Sequence, residues 1–159
     1  MMSDHRLVPG DPAADLHWLE AAIGLSKLCP VSQTAFSVGA VLVSTSGEVI
    51  ATGYSRESDP YDHAEDVALG KAAALGADLR GATLYSSLEP CLARSSRPVS
   101  CAERIVASGV PRVVVAWREP PVFKPGGGDA WLIARGIAVV EFPELARQAK
   151  AANAHLLDS

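Results

Sequence analysis

Apolar positions recur along this chain with two periods, and the alternation between them outlines its elements. Over residues 13–28, Leu16, Leu19, Ile23 and Leu28 fall near one face at helical spacing, and Cys29-Pro30 closes a predicted first helix. Val38-Gly39-Ala40-Val41-Leu42-Val43 is apolar without interruption, the pattern of a strand buried on both faces. Ser44 to Gly47 then turns the chain into residues 48–53, so the two runs read as a β-hairpin. Asp62 is the expected N-cap of a helix over residues 63–75, with Ala64, Val67, Ala68, Ala72 and Leu75 as its apolar stripe and Gly76 as its stop. Strands are predicted at residues 83–88, 112–117 and 137–142. The helices between and after them cover residues 101–108, closed by Gly109, residues 129–135, closed by Gly136, and residues 144–157.

Strands separated by helix-length segments imply parallel crossovers, with helices on both faces. The expected fold is therefore α/β, a three-layer α/β/α sandwich around a five-stranded mixed sheet. Three irregular stretches, residues 55–62, 92–100 and 119–128, each follow a predicted strand, where ligands bind in open α/β sheets.

Composition narrows the picture. At 159 residues and 48% hydrophobic content the chain suits one compact domain, expected over residues 13–159 with residues 1–12 as a mobile arm. Its apolar runs are too short for a membrane span, and Pro9, Gly10 and Asp11 stand where a signal peptide needs an apolar segment. Three cysteines without disulfide spacing fit a reducing compartment, so a cytoplasmic protein without a membrane partner is expected. A net charge of −4 gives nucleic acid no general electrostatic attraction.

The chemistry concentrates in His63-Ala64-Glu65, Pro90-Cys91 and Cys101, all at predicted strand-to-helix junctions. Catalytic zinc takes three protein ligands and leaves a fourth position for water, and one imidazole with two thiolates meets that count. Cys101 opens a helix, where free N–H groups and the helix dipole favour a thiolate. Glu65 lies two residues beyond His63, roughly 200° round a helix, which disfavours joint ligation but lets its carboxylate stand beside the metal. By itself each residue has a plainer use: a helix-start histidine bonded to backbone, or an acid favouring a helix N-terminus. Cys29 reads as a small core residue, with a rival role as fourth ligand that would make the zinc structural and the protein a non-catalytic binding module. Gly126-Gly127-Gly128 lacks the lysine and hydroxyl of a P-loop.

H-x-E followed by P-C and a second cysteine resembles the zinc-deaminase signature. Here residues 92–100 separate the cysteines, where most such enzymes have two residues. That long insert, with Val38-Gly39-Ala40-Val41, Gly81-Ala82-Thr83-Leu84-Tyr85, Leu88-Glu89-Pro90-Cys91 and Arg112-Val113-Val114-Val115-Ala116 in order, is similar to the deaminase domain of the bifunctional riboflavin-biosynthesis deaminase/reductase, within the cytidine-deaminase-like superfamily. The resemblance implies Zn2+ on His63, Cys91 and Cys101, Glu65 as the proton carrier, and an aminopyrimidine substrate carrying phosphoribosylamine. Arg97 matches the family's phosphate-binding basic residue, and Arg94 shares its acid-free loop. Ser37, Ser55, Ala64 and Ser87 fall at positions implied to contact substrate, and similar deaminases associate, so a homo-oligomer is implied.

The pocket departs from that family in three places: Ala35-Phe36 replaces Asn-Pro, Ser55 replaces a histidine, and Glu119-Pro120-Pro121-Val122 replaces Asp-Pro-Asn-Pro. Phe36-Ser37-Val38-Gly39-Ala40 is instead similar to cytidine deaminases, where the phenylalanine packs on the base. A deaminase of another free base or nucleoside is therefore the alternative substrate reading.

Overall fold

The computed structural model describes residues 7–92, 99–118, 120 and 126–157. Helix α1 (Pro12–Ser26) leads into strands β1 (Gly39–Val43) and β2 (Val49–Tyr54), then helix α2 (Ala64–Ala74) and strand β3 (Thr83–Ser86). Helix α3 (Cys101–Ser108), strand β4 (Arg112–Val115), helix α4 (Gly128–Ala134) and strand β5 (Ala138–Glu141) follow. A 3-10 turn (Pro143–Leu145) and the short helices α5 (Ala146–Ala151) and α6 (Ala154–Leu157) complete the described chain.

The five strands form one sheet in the order β2-β1-β3-β4-β5. Strand β1 is antiparallel to both neighbours, β2 and β3, while β3, β4 and β5 run parallel, so the sheet is mixed as expected. All five residues of β1 are buried, in line with its unbroken apolar run. Helices α1 and α5 pack on one face, and α2, α3 and α4 on the other.

Two glycines set how closely elements meet. A Cβ on Gly53 would lie 2.4 Å from the carbonyl oxygen of Ala64, so α2 starts directly against β2 only because that position has no side chain. A Cβ on Gly128 would lie 1.9 Å from the carbonyl oxygen of Pro90, which sets α4 against the segment leading to Cys91.

Several local expectations are corrected. The residue before α2 is His63, and Asp62 instead accepts from the N–H groups of Ser58 and Asp59, closing its own loop. Leu28 and Leu75 are exposed, because α1 and α2 end before them. The single last helix breaks at Asn153, whose buried amide bonds the backbone of Ser37 at both ends. In the expected arm, residues 1–6 lie outside the described residues, while Leu7 and Gly10 are tied to α1: Trp18 Nε1 donates to Leu7 O and Gly10 N donates to Asp15 Oδ1.

Asp15 is the polar rivet of the α1 face. Its carboxylate accepts two bonds from Arg112, at 3.0 and 2.6 Å, and one from the Tyr85 hydroxyl at 2.5 Å. Burial alone would raise this carboxyl, but the bonds from Arg112, Tyr85 and Gly10 outweigh it and hold it below the usual range. Asp129 is the opposite case. Burial, joined by the charges of Glu89 and Glu141, pushes it up to about 7, and its Oδ1 has no hydrogen-bond partner among the described residues.

Asp15→Ala leaves a guanidinium and a phenol against an apolar helix and is expected to cost about 3 kcal/mol in urea unfolding. Asp129→Asn is expected to act with the reverse sign. The folded Asp129 holds its proton more tightly than an unfolded aspartate, so its contribution is fully present below about pH 4 and is lost as pH rises through about 7. The variant should exceed wild type by about 1–3 kcal/mol at pH 8, with the gap narrowing toward pH 5.

Candidate active site

The N-termini of α2 and α3 lie over the carboxyl ends of β2 and β3 on one face of the sheet. His63 stands immediately before α2 in extended backbone, and Cys101 is the first residue of α3. Helix α3 is fixed at that start by Ser100, whose hydroxyl accepts from Glu103 N at 3.1 Å, and at its end by Gly109 in the left-handed region. Cys91 comes from the loop after β3, held by Ala102 N donating to its carbonyl oxygen at 3.0 Å.

These elements bring His63 Nδ1 to 3.5 Å from Cys91 Sγ and 3.3 Å from Cys101 Sγ, with all three donor atoms within 4.8 Å of one another. The fit to zinc is quantitative. Bonds of about 2.0–2.1 Å to nitrogen and 2.3 Å to sulfur at tetrahedral angles require an N···S edge of about 3.6 Å. The backbone N–H of Cys101 donates to Cys91 Sγ at 3.3 Å, a bond that favours the thiolate. The hydrogen bond with the Cys101 thiol, aided by His63, pulls the Cys91 thiol down to about 4, while the same bond and burial push Cys101 up. Cys29 lies apart: its thiol faces the carbonyl oxygen of Val38 at 3.5 Å, and it is not among the three grouped donors. Among the described residues the site therefore offers the three-ligand count of a catalytic centre.

Glu65, in the first turn of α2, is buried. Its Oε2 accepts from the Ser86 hydroxyl at 3.0 Å. Burial, joined by the charge of Cys91, pushes its carboxyl up to about 7, in the range where a group can both take and give a proton near neutrality. Asp66 flanks the centre from below, with Oδ1 4.0 Å from Cys101 Sγ and 3.0 Å from Arg104 Nε.

The residues expected at the substrate lie before β1 and around it. Phe36 is buried edge-on against Trp117, ring centres 5.8 Å apart. Ser37 is buried, its N–H held by Asn153 and its hydroxyl accepting from Arg56 Nη2 at 2.7 Å. The hydroxyls of Ser55 and Ser87 accept from the N–H groups of Val38 and Gly39, at 2.9 and 3.0 Å. They therefore fix the entry to β1. Ala64 is wholly buried between His63 and Glu65. Arg94 and Arg97, with Glu119, Pro121 and Val122, lie outside the described residues.

Sequence reasoning missed Ser86, Arg56 and Asn153. Ser86 had a usable signal, since strand alternation places it with Leu84 on the α2 face, opposite Tyr85. Arg56 and Asn153 act on Phe36 and Ser37 from 19 or more residues away, with no periodic pattern to mark them.

The comparisons with known proteins agree with this geometry. Residues 12–117 match the pattern described as cytidine and deoxycytidylate deaminase zinc-binding region. The diaminohydroxyphosphoribosylamino-pyrimidine deaminase of Schizosaccharomyces pombe is 39% identical over 76% of this chain and 30% of its own length. Riboflavin biosynthesis protein RibD of Aquifex aeolicus is 41% identical over 79% of this chain and 34% of its own. The chain thus spans about a third of these curated relatives. A crystal structure of a diaminohydroxyphosphoribosylaminopyrimidine deaminase/5-amino-6-(5-phosphoribosylamino)uracil reductase from Thermotoga maritima superposes with a TM-score of 0.74 at 33% identity, covering 90% of this chain and 40% of that one. With the pattern matched over two thirds of its length and the three donors gathered where the fold places them, the chain belongs to the cytidine and deoxycytidylate deaminase zinc-binding family.

Proposed function

We propose that the chain is a zinc-dependent hydrolytic deaminase of an aminopyrimidine, with the diaminohydroxyphosphoribosylaminopyrimidine named for its relatives as the leading substrate. The observation that carries this reading is a buried carboxylate, Glu65, raised to about 7 by burial and by the charge of Cys91, beside a three-donor N/S centre. His63, Cys91 and Cys101 would hold the zinc, which supplies acidification of the attacking water. Glu65 accepts one water proton on the carboxylate that Ser86 orients and returns it to the ring nitrogen, then carries the proton of the added hydroxyl to the departing amine. One water enters, the ring carbon exchanges its C–N bond for C–O, and ammonia leaves. Phe36 offers an aromatic wall for the ring, set in place by Arg56 and Asn153.

Arg94 and Arg97 are assigned to a substrate phosphate on the strength of the family likeness and of their acid-free loop. Family likeness likewise supports a homo-oligomer. One domain over residues 13–159 and a cytoplasmic setting complete the proposal, supported by the free cysteines. Among the described residues no helix is long and apolar enough to cross a membrane. The second substrate reading, another free base or nucleoside, is favoured by one observation: Phe36 packs on Trp117 where the riboflavin-pathway pattern has proline.

Glu65→Gln is expected to retain zinc and lose ammonia release by at least about 100-fold, measured over a panel of aminated pyrimidines with and without phosphoribosyl groups. Full turnover in that variant would exclude the proton role, and preference for cytidine or cytosine would move the assignment to the second reading. Metal analysis separates catalytic from structural zinc. Cys101→Ala should purify with zinc far below stoichiometry, whereas Cys29→Ala should keep it.

A further inference from the structure

We propose that Ser86 is a positioning residue for Glu65, fixing where its carboxylate stands beside the three grouped donors. This inference rests on the proposed role of Glu65 and deepens it. Ser86 is fully buried at the end of β3, on the face that meets α2. Its hydroxyl oxygen lies 3.0 Å from Glu65 Oε2 and 2.8 Å from the carbonyl oxygen of Leu88.

The hydroxyl has one O–H proton and two acceptors within reach, so its oxygen is confined between Glu65 Oε2 and Leu88 O, at a point set by backbone on one side and by the carboxylate on the other.

The second acceptor matters for where the carboxylate stands. Leu88 belongs to the segment Leu88-Glu89-Pro90-Cys91, and that segment is anchored by Glu89 N donating to Trp117 O at 2.9 Å. Through Ser86, the proton carrier on α2 is therefore referenced to the same stretch of backbone that presents Cys91. Without the hydroxyl, the Glu65 carboxylate loses the bond that ties it to β3 and keeps the local one to its own backbone N–H, so the side chain regains rotamer freedom. Misplacement of a catalytic group by about 1 Å can cost 100-fold, so a partial loss of placement is expected to lower turnover by about tenfold.

The test compares Ser86→Thr with Ser86→Val, a nearly isosteric pair that differs in the hydroxyl, using zinc-loaded full-length protein and the panel substrate released fastest by wild type. Expected is a kcat near wild type for the threonine variant and about tenfold lower for valine, with KM, zinc content and thermal midpoint matched between the two. Equal kcat in the two variants, or a loss confined to KM or zinc content, would overturn the inference. Ser86→Ala, smaller than the native side chain, covers the case in which the added methyl is not tolerated: it should also lose about tenfold in kcat, and full turnover in it would overturn the inference equally. An active Glu65→Gln enzyme would instead overturn the proposed function, so the two failures are distinguishable.

Discussion

Three soft donor atoms from three separate segments must come within one ion's reach, and the rest of the fold is arranged around that requirement. His63 precedes one helix, Cys101 opens another, and Cys91 sits on the loop between a strand and that second helix. His63 is remote in the chain from both cysteines, so the meeting of all three depends on how α2 and α3 are laid across the sheet. Buried thiols without partners would be inert, and a buried thiolate without compensation would be costly. The Cys101 N–H at Cys91 Sγ and the imidazole beside both sulfurs supply that compensation, with nitrogen-to-sulfur edges of 3.5 and 3.3 Å, close to the span a tetrahedral zinc requires.

The supports of this arrangement are of two kinds. Close approach is set by absent side chains: Gly53 admits the start of α2, and Gly128 admits α4 against Pro90. Fixed orientation comes from buried polar bonds. Asp15 ties α1 to both β3 and β4 through Tyr85 and Arg112, and so holds the opposite face of the two central strands rigid beneath the site. Asp129 is the exception, a buried acid at the start of α4 whose Oδ1 has no partner among the described residues.

The segment before β1 follows a separate logic. Phe36 and Ser37 lie outside regular structure, yet Arg56 holds both from the loop after β2, and Asn153 holds the Ser37 backbone from the break between α5 and α6. Arg56 itself adopts a positive φ of 59°, a conformation uncommon for a residue with a side chain and maintained here by its contacts with Pro30, Phe36 and Ser37. The metal group and the segment before β1 are thus built by different parts of the chain, which is why the three donors can follow the family pattern closely while Ala35-Phe36 departs from it.

By itself the sequence determined the element order, the mixed five-stranded sheet and which three residues gather as a group able to hold a metal ion. Those follow from what the chain shows in order: period-two and helical runs, glycine stops, and a histidine and two cysteines that each have a plainer use alone but together, at strand-to-helix junctions, make a ligand set. Element ends were less legible, because Leu28 and Leu75 continue an apolar stripe after the helix has already stopped. Only the tertiary structure decided the roles of Ser86, Arg56, Asn153 and Asp15, the exclusion of Cys29 from the metal group, and the break in the last helix. Each of these depends on which groups of distant residues come within hydrogen-bonding or coordination distance, and a serine or asparagine that meets such a partner looks no different in the chain from one that meets water.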